Sequence, residues 1–186
     1  KGLQLSVLDY AESAFGEVAQ VLPRAWLSSK IIGERAYIDI DNKGAEKKSF
    51  ASAILGLTPK EHRLMGWEDL LVGDKSRWFV AGERNVCILP VSIGDIVGID
   101  PEDVGSAEGW IMGRPYRVIG LIDGEAIDKL RDLDNESPIP VDTVAEAKKM
   151  EEMAGLDPRL MDTAAIETFT HLLANNVVFL PFHQVV

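Results

Sequence analysis

Three histidines, one cysteine, a serine set between Pro90 and Gly94 and several adjacent carboxylates are the side chains in these 186 residues with the means to do chemistry. His62, His171 and His183 are far apart in sequence, and none belongs to the two-histidine helical pattern that holds zinc. Surface or capping roles are the expectation for all three. Cys87 is alone, which rules out an intramolecular disulfide and a cysteine-based zinc site. Its neighbours Val86, Ile88 and Leu89 imply a buried apolar thiol, and no His or Lys adjoins it in sequence to activate it. Such a thiol is tolerated in the periplasm and the cytosol alike. Ser92, in Pro90-Val91-Ser92-Ile93-Gly94, lacks the first glycine of a nucleophile elbow, so helix capping is its expected role.

Ion and nucleotide sites fare no better. Asp39-Ile40-Asp41-Asn42-Lys43-Gly44 begins like a calcium loop, but Lys43 stands where an oxygen ligand is needed and Phe50 where the bidentate Glu belongs. A turn after a strand fits it better. Gly105-Ser106-Ala107-Glu108-Gly109 is not followed by the Lys-Ser/Thr of a phosphate loop, and Gly113-Arg114-Pro115 puts proline where a donating amide is wanted. Glu68-Asp69 and Glu151-Glu152 read as solvated faces, not acid–base pairs. No catalytic, cofactor-binding or metal-binding residue is assigned, no cofactor is expected, and binding residues remain unspecified.

A net charge of −11 argues against a phosphate-backbone-binding surface, since Lys47-Lys48 and Lys148-Lys149 are too short to reverse it. Nucleic acid is excluded as a partner class. With 46% apolar and 26% charged residues, the chain has the composition of one folded domain. It opens at Lys1 with no apolar leader and holds no run near the ~20 apolar residues of a membrane span. The expectation is a piece trimmed from between spanning helices.

The elements that must position these residues follow from periodicity and turn chemistry. Asp9 caps an expected helix running to about Leu22, with Ala11, Phe15, Val18 and Leu22 on one face docked on the core and Pro23 beyond it. Ala25 to Ile32 and Arg35 to Ile40 are strand-like around Gly33-Glu34, and Ser49 to Leu57 reads as one further strand. Thr58-Pro59-Lys60-Glu61 has the form of a capping box opening a short helix that carries His62, Leu64 and Met65. An aromatic-rich connector with Trp67, Trp78 and Phe79 leads through Gly82 to Asn85 into the apolar strand Val86 to Leu89. A helix follows from Ser92 to Val97, then a turn at Asp100-Pro101-Glu102-Asp103. Glu108 to Met112 and Tyr116 to Ile122 form a hairpin about Gly113-Arg114-Pro115. Between Asp123 and Glu152 ten acidic residues face four basic ones, and Asn135 to Pro140 is the expected flexible loop. Helical patterning resumes over Val144 to Met153 and Pro158 to Phe169, and Val177 to Leu180 is a closing buried strand ended by Pro181. No repeat at a fixed period is detected.

Residues 86–122 carry a resemblance. Val86-Cys87-Ile88-Leu89-Pro90, Ile96-Val97-Gly98-Ile99 with Asp100 to Gly105, and Gly113-Arg114-Pro115-Tyr116-Arg117-Val118-Ile119-Gly120 resemble the periplasmic core domain of MacB-like (FtsX-like) ABC-transporter permeases. Leu70-Leu71-Val72-Gly73 before Arg77-Trp78-Phe79 is similar to the family's approach to that strand, Val97-Gly98 replacing the usual Leu-Gly. Ala53 to Pro59 and Asn176 to Phe182 match the long FtsX-like permeases more loosely. The resemblance implies an extracytoplasmic, periplasmic domain between the first two membrane helices of a permease, coupling ATP-driven changes in the membrane to a substrate or partner outside. It also implies a cytoplasmic ATPase partner, an unidentified periplasmic or cell-wall partner, no enzymatic activity, and a monomeric isolated domain.

The expected fold is α+β: mixed sheets built from hairpins with helices packed on one side. Residues 1–186 are expected to form one extracytoplasmic domain, with a compact β-rich subdomain near residues 86–122 and an acidic helical segment over about 123–170. Two rivals stand beside this reading. A free-standing small-molecule-binding protein would show an apolar pocket with converging polar groups. An unrecognised hydrolase would bring His171, an acidic partner and a serine together.

Overall fold

Three short runs, Ala53–Leu57, Val86–Pro90 and Val177–Pro181, have no exposed residue, which places them mid-sheet with both faces covered. The computed structural model describes residues 4–28, 31–32, 35–36, 38–132, 135–154 and 169–186. Eleven strands and five α-helices are described: β1 Ala25–Ser28, β2 Ile31–Ile32, β3 Arg35–Ala36, β4 Ile38–Asn42, β5 Lys47–Ala51, β6 Ala53–Leu57, β7 Leu71–Val72, β8 Val86–Pro90, β9 Glu108–Ile111, β10 Arg114–Ile122 and β11 Val177–Pro181. The helices are α1 Leu5–Phe15, α2 Glu61–Met65, α3 Val91–Val97, α4 Gly124–Ile127 and α5 Thr143–Ala154.

The main sheet runs β1-β6-β11-β8-β10-β9-β4-β5, with β7 on the far end of β10, and β2 pairs β3 separately. The fold is α+β with a mixed sheet. β8–β10 and β6–β11 are parallel while every other described pair is antiparallel, so short hairpins account for only part of the pairing. Alternation along the strands feeds two cores. Cys87, Leu89, Val118, Leu121, Val178 and Leu180 meet Ile93 and Val97 of α3 on one face. Val86, Ile88, Ile119, Ile122 and Phe179 meet Trp67, Trp78 and Ile127 of α4 on the other. Helices therefore cover both faces, not one, because the central strands are apolar on both sides.

A pseudo-two-fold organises the middle of the sheet. Asn85-Val86-Cys87-Ile88-Leu89-Pro90 and Asn176-Val177-Val178-Phe179-Leu180-Pro181 share Asn-Val-x-x-Leu-Pro, and their strands cross antiparallel at the matching residues Ile88 and Phe179. Each is flanked by a parallel strand, β10 or β6, and that in turn by an antiparallel one, β9 or β1. After each proline comes a helical turn, α3 or Phe182–Gln184. Even the packing is exchanged between halves. A Cβ on Gly94 of α3 would lie 3.0 Å from Leu121 of β10, whereas at the matching contact Gly56 of β6 makes room for Val185, 2.9 Å from an added Cβ.

Several expected boundaries move. α1 begins after Gln4 and ends at Gly16, so Asp9 lies inside the helix, and none of its residues is buried. Gly16, a poor helix former, stands where it ends. The run Ser49 to Leu57 breaks at Ser52, whose amide donates to Asn176 O, and its halves go to different parts of the sheet. The Gly33-Glu34 turn lies outside the described residues, though its flanks pair as β2 and β3. In the β9–β10 hairpin the turn falls on Met112 and Gly113, both with positive φ (51° and 77°), as a two-residue primed turn requires. The patterned segment from Pro158 to 168 is likewise outside the described residues.

Candidate functional site

A cleft of about 850 Å³ lies between α1, β1 and the terminal turn Phe182–Gln184. Leu5, Leu8 and Ala11 of α1 form one wall, Trp26 and Leu27 of the edge strand β1 the floor, and Phe182 and Val185 the other wall. α1 touches the body through half-buried Leu8 and Ala11 while Tyr10 stands 69% exposed. The lining is apolar apart from Gln4 and Arg24, and it offers surface for contact, not reacting groups. Sequence reasoning missed this cleft. The available signal was the exposed Trp26-Leu27 pair beside an amphipathic helix.

Arg24 joins the cleft to a second hollow of about 660 Å³ beside α2, lined by Leu22, Glu61, Leu64 and Met65. There Glu61, fully buried, accepts from Arg24 Nε at 2.7 Å through Oε1. Its Oε2 is shut away from solvent without a partner. The expected capping box is not formed: Thr58 Oγ1 has no partner and Lys60 occupies the N-cap position. Glu61 turns inward because a guanidinium is there to neutralise it, and removing Arg24 would leave a buried charge.

The residues considered for chemistry are dispersed. Cys87 is fully buried, and burial pushes its thiol far up, out of the nucleophilic range. Ser92 does not cap α3; its hydroxyl donates to Asn175 O at 2.9 Å, tying α3 to the approach of β11. His62 Nδ1 is 2.6 Å from Pro59 O and its Nε2 3.4 Å from Glu68. His183 is exposed on the terminal turn. His171 meets an acidic partner, Glu136, 2.8 Å from Nε2, but its Nδ1 sits against Ile139 O, so both ring nitrogens are engaged and no serine is among their partners. Among the described residues no group of three or more His, Cys, Asp and Glu could hold a metal ion.

Asp39 to Asn42 lie in β4, and Lys43 to Glu46 form the turn that returns as β5, with Lys43 Nζ 3.3 Å over the Trp110 ring. In the acidic segment, Asp142 Oδ1 accepts from the Val144 and Ala145 amides and starts α5. Glu146, one turn on, accepts from Thr170 N at 2.7 Å, a hydrogen bond that holds its carboxyl below the usual range. No described helix is long and apolar enough to cross a membrane.

No protein-family model matches the sequence, and no curated protein matches it. Solved structures do. The chain is similar to the extracellular domain of the noncanonic ABC-type transporter YknZ from Gram-positive bacteria, with a TM-score of 0.51 and 12% identity over 98% of this chain and 64% of that one. A second similar structure is the periplasmic region of MacB from Actinobacillus actinomycetemcomitans, with a TM-score of 0.46 and 16% identity over 82% of this chain and 73% of that one. The fold is thus shared with the YknZ domain, of whose length the chain spans less than two thirds.

Proposed function

We propose that residues 1–186 are an extracytoplasmic domain of an ABC-transporter permease, a non-catalytic part that couples ATP-driven changes in the membrane to a substrate or partner outside it. The observation that carries this reading is the fold shared with the YknZ extracellular domain over 98% of the chain. The surface also suits contact more than chemistry, with dispersed histidines, a buried thiol and a serine turned to a backbone carbonyl. On this reading the energy comes from a cytoplasmic ATPase that the permease binds.

Cys87 is buried and unreactive, so it does not compete with an introduced surface thiol in this domain. A cysteine placed at exposed Lys48 in the protein in its own cells should react with a membrane-impermeant maleimide without lysis, and the detergent-solubilised protein should co-purify with an ATP-hydrolysing subunit. Labelling only after lysis would place the domain inside and overturn the proposal.

A further inference from the structure

We infer that His171 and Glu136 form a proton-dependent clasp that fastens the start of the acidic helix α5 to the body and releases it as pH rises. The ring of His171, 16% exposed, has Nδ1 2.5 Å from Ile139 O and Nε2 2.8 Å from Glu136 Oε2. Both facing atoms are acceptors, and a neutral imidazole has one N–H. The two contacts coexist only if a further proton lies between Nε2 and Oε2, carried either by the imidazolium or by the carboxylic acid. Remove it, and whichever tautomer the ring takes, one nitrogen lone pair is turned toward an acceptor oxygen.

What that proton holds is a short strap. Val141 and His171 form an antiparallel bridge, the Asp142 amide donates to Thr170 O at 2.8 Å, and the Leu172 amide donates to Pro140 O at 3.0 Å. Asp142 is the cap of α5, and the Thr170 amide donates to Glu146 in its first turn. The strap, the loop before α5 and the helix start are therefore one hydrogen-bonded unit with the clasp at its centre. Among the described residues, Glu146 of α5 also interacts electrostatically with His171, and Lys149 lies 3.8 Å from Glu146. Glu146 is kept ionised by the Thr170 amide, so its charge favours the protonated ring and does not itself titrate over the range concerned. The proton that decides the state of the clasp is the one shared between His171 Nε2 and Glu136 Oε2.

Amide hydrogen exchange on the whole chain tests this between about pH 5 and 8, corrected for the intrinsic rate, with Ile88 as an internal reference. Protection at Asp142, Thr170 and Leu172 should fall roughly tenfold or more relative to Ile88 as pH rises. In Glu136→Gln the side-chain amide can donate to a neutral ring, so the same amides should stay protected to the upper end. Flat protection in the wild-type chain, or a Glu136→Gln variant that opens in parallel with it, would overturn the clasp.

Discussion

Glu83 accepts from both terminal nitrogens of Arg77 and from the Val80 amide, with Arg117 3.5 Å away. The hydrogen bonds from Arg77 hold its carboxyl below the ordinary value. A carboxyl depressed in the folded state stabilises it above the unfolded value, about 4.3, and that contribution disappears as pH falls through the folded one. Arg77→Met should therefore cost ~1 kcal/mol at pH 7 and a smaller amount in acid, measured by urea unfolding at both pH values. An equal cost at pH 3 would show that only packing is lost. Gly124 gives a sharper case, since an added Cβ would lie 2.3 Å from Asn175 Oδ1 and 2.7 Å from its backbone N. Gly124→Ala should lower stability by ~1–3 kcal/mol, and an unchanged melting temperature would contradict the close approach. Residue roles were legible where neighbours in sequence decide them: Cys87, among Val86, Ile88 and Leu89, is buried as its context implies. Glu61 and Ser92 were not, because Arg24 and Asn175 reach them from distant parts of the chain.

Elements with strong local signals lie where periodicity puts them: α3 covers Val91–Val97, α5 Thr143–Ala154 and β8 Val86–Pro90. Where tertiary partners compete, boundaries shift. Ser49 to Leu57 looks continuous because all of it suits a strand, yet β5 is an outer strand beside β4 and β6 a central one beside β11. α1 shows amphipathic spacing, but spacing does not reveal whether its apolar stripe is covered, and Leu5, Tyr10 and Phe15 are exposed. Deleting residues 1–16 should thus cost below ~2 kcal/mol, since few fully buried side chains are lost, as equilibrium unfolding would measure. A chain that fails to fold without them would mean that α1 is integral to the core.

At the level of the whole molecule, pairs such as β6–β11 join Ala53 to Val177, and no local pattern announces a parallel partner that remote. The fold class was legible; the strand order and the second covered face were not. Ile88 and Phe179 lie at the crossing of the two matching strands with Trp67 packed edge-on to Phe179 at 5.6 Å. Their amides should exchange only through global unfolding, while those of α1 exchange by local fraying. Exchange at β8 as fast as at α1 would disprove a continuous central sheet. The isolated domain is proposed to be monomeric, self-repulsion at −11 acting in that direction, and sedimentation at micromolar concentration showing a tight dimer would count against it.

The strand that lies between β6 and β8 is also the last of the described strands in chain order. Until Val177–Pro181 leaves the ribosome, the flanking strands face an open slot with unpaired amides and carbonyls along both sides and apolar side chains above and below. The sheet therefore cannot close before that strand is available. Its two halves wait for a closing strand that bonds along β6 and meets β8 at Phe179–Ile88, which puts the closing of the sheet after that strand is made and exposes the unfinished centre to mispairing until then.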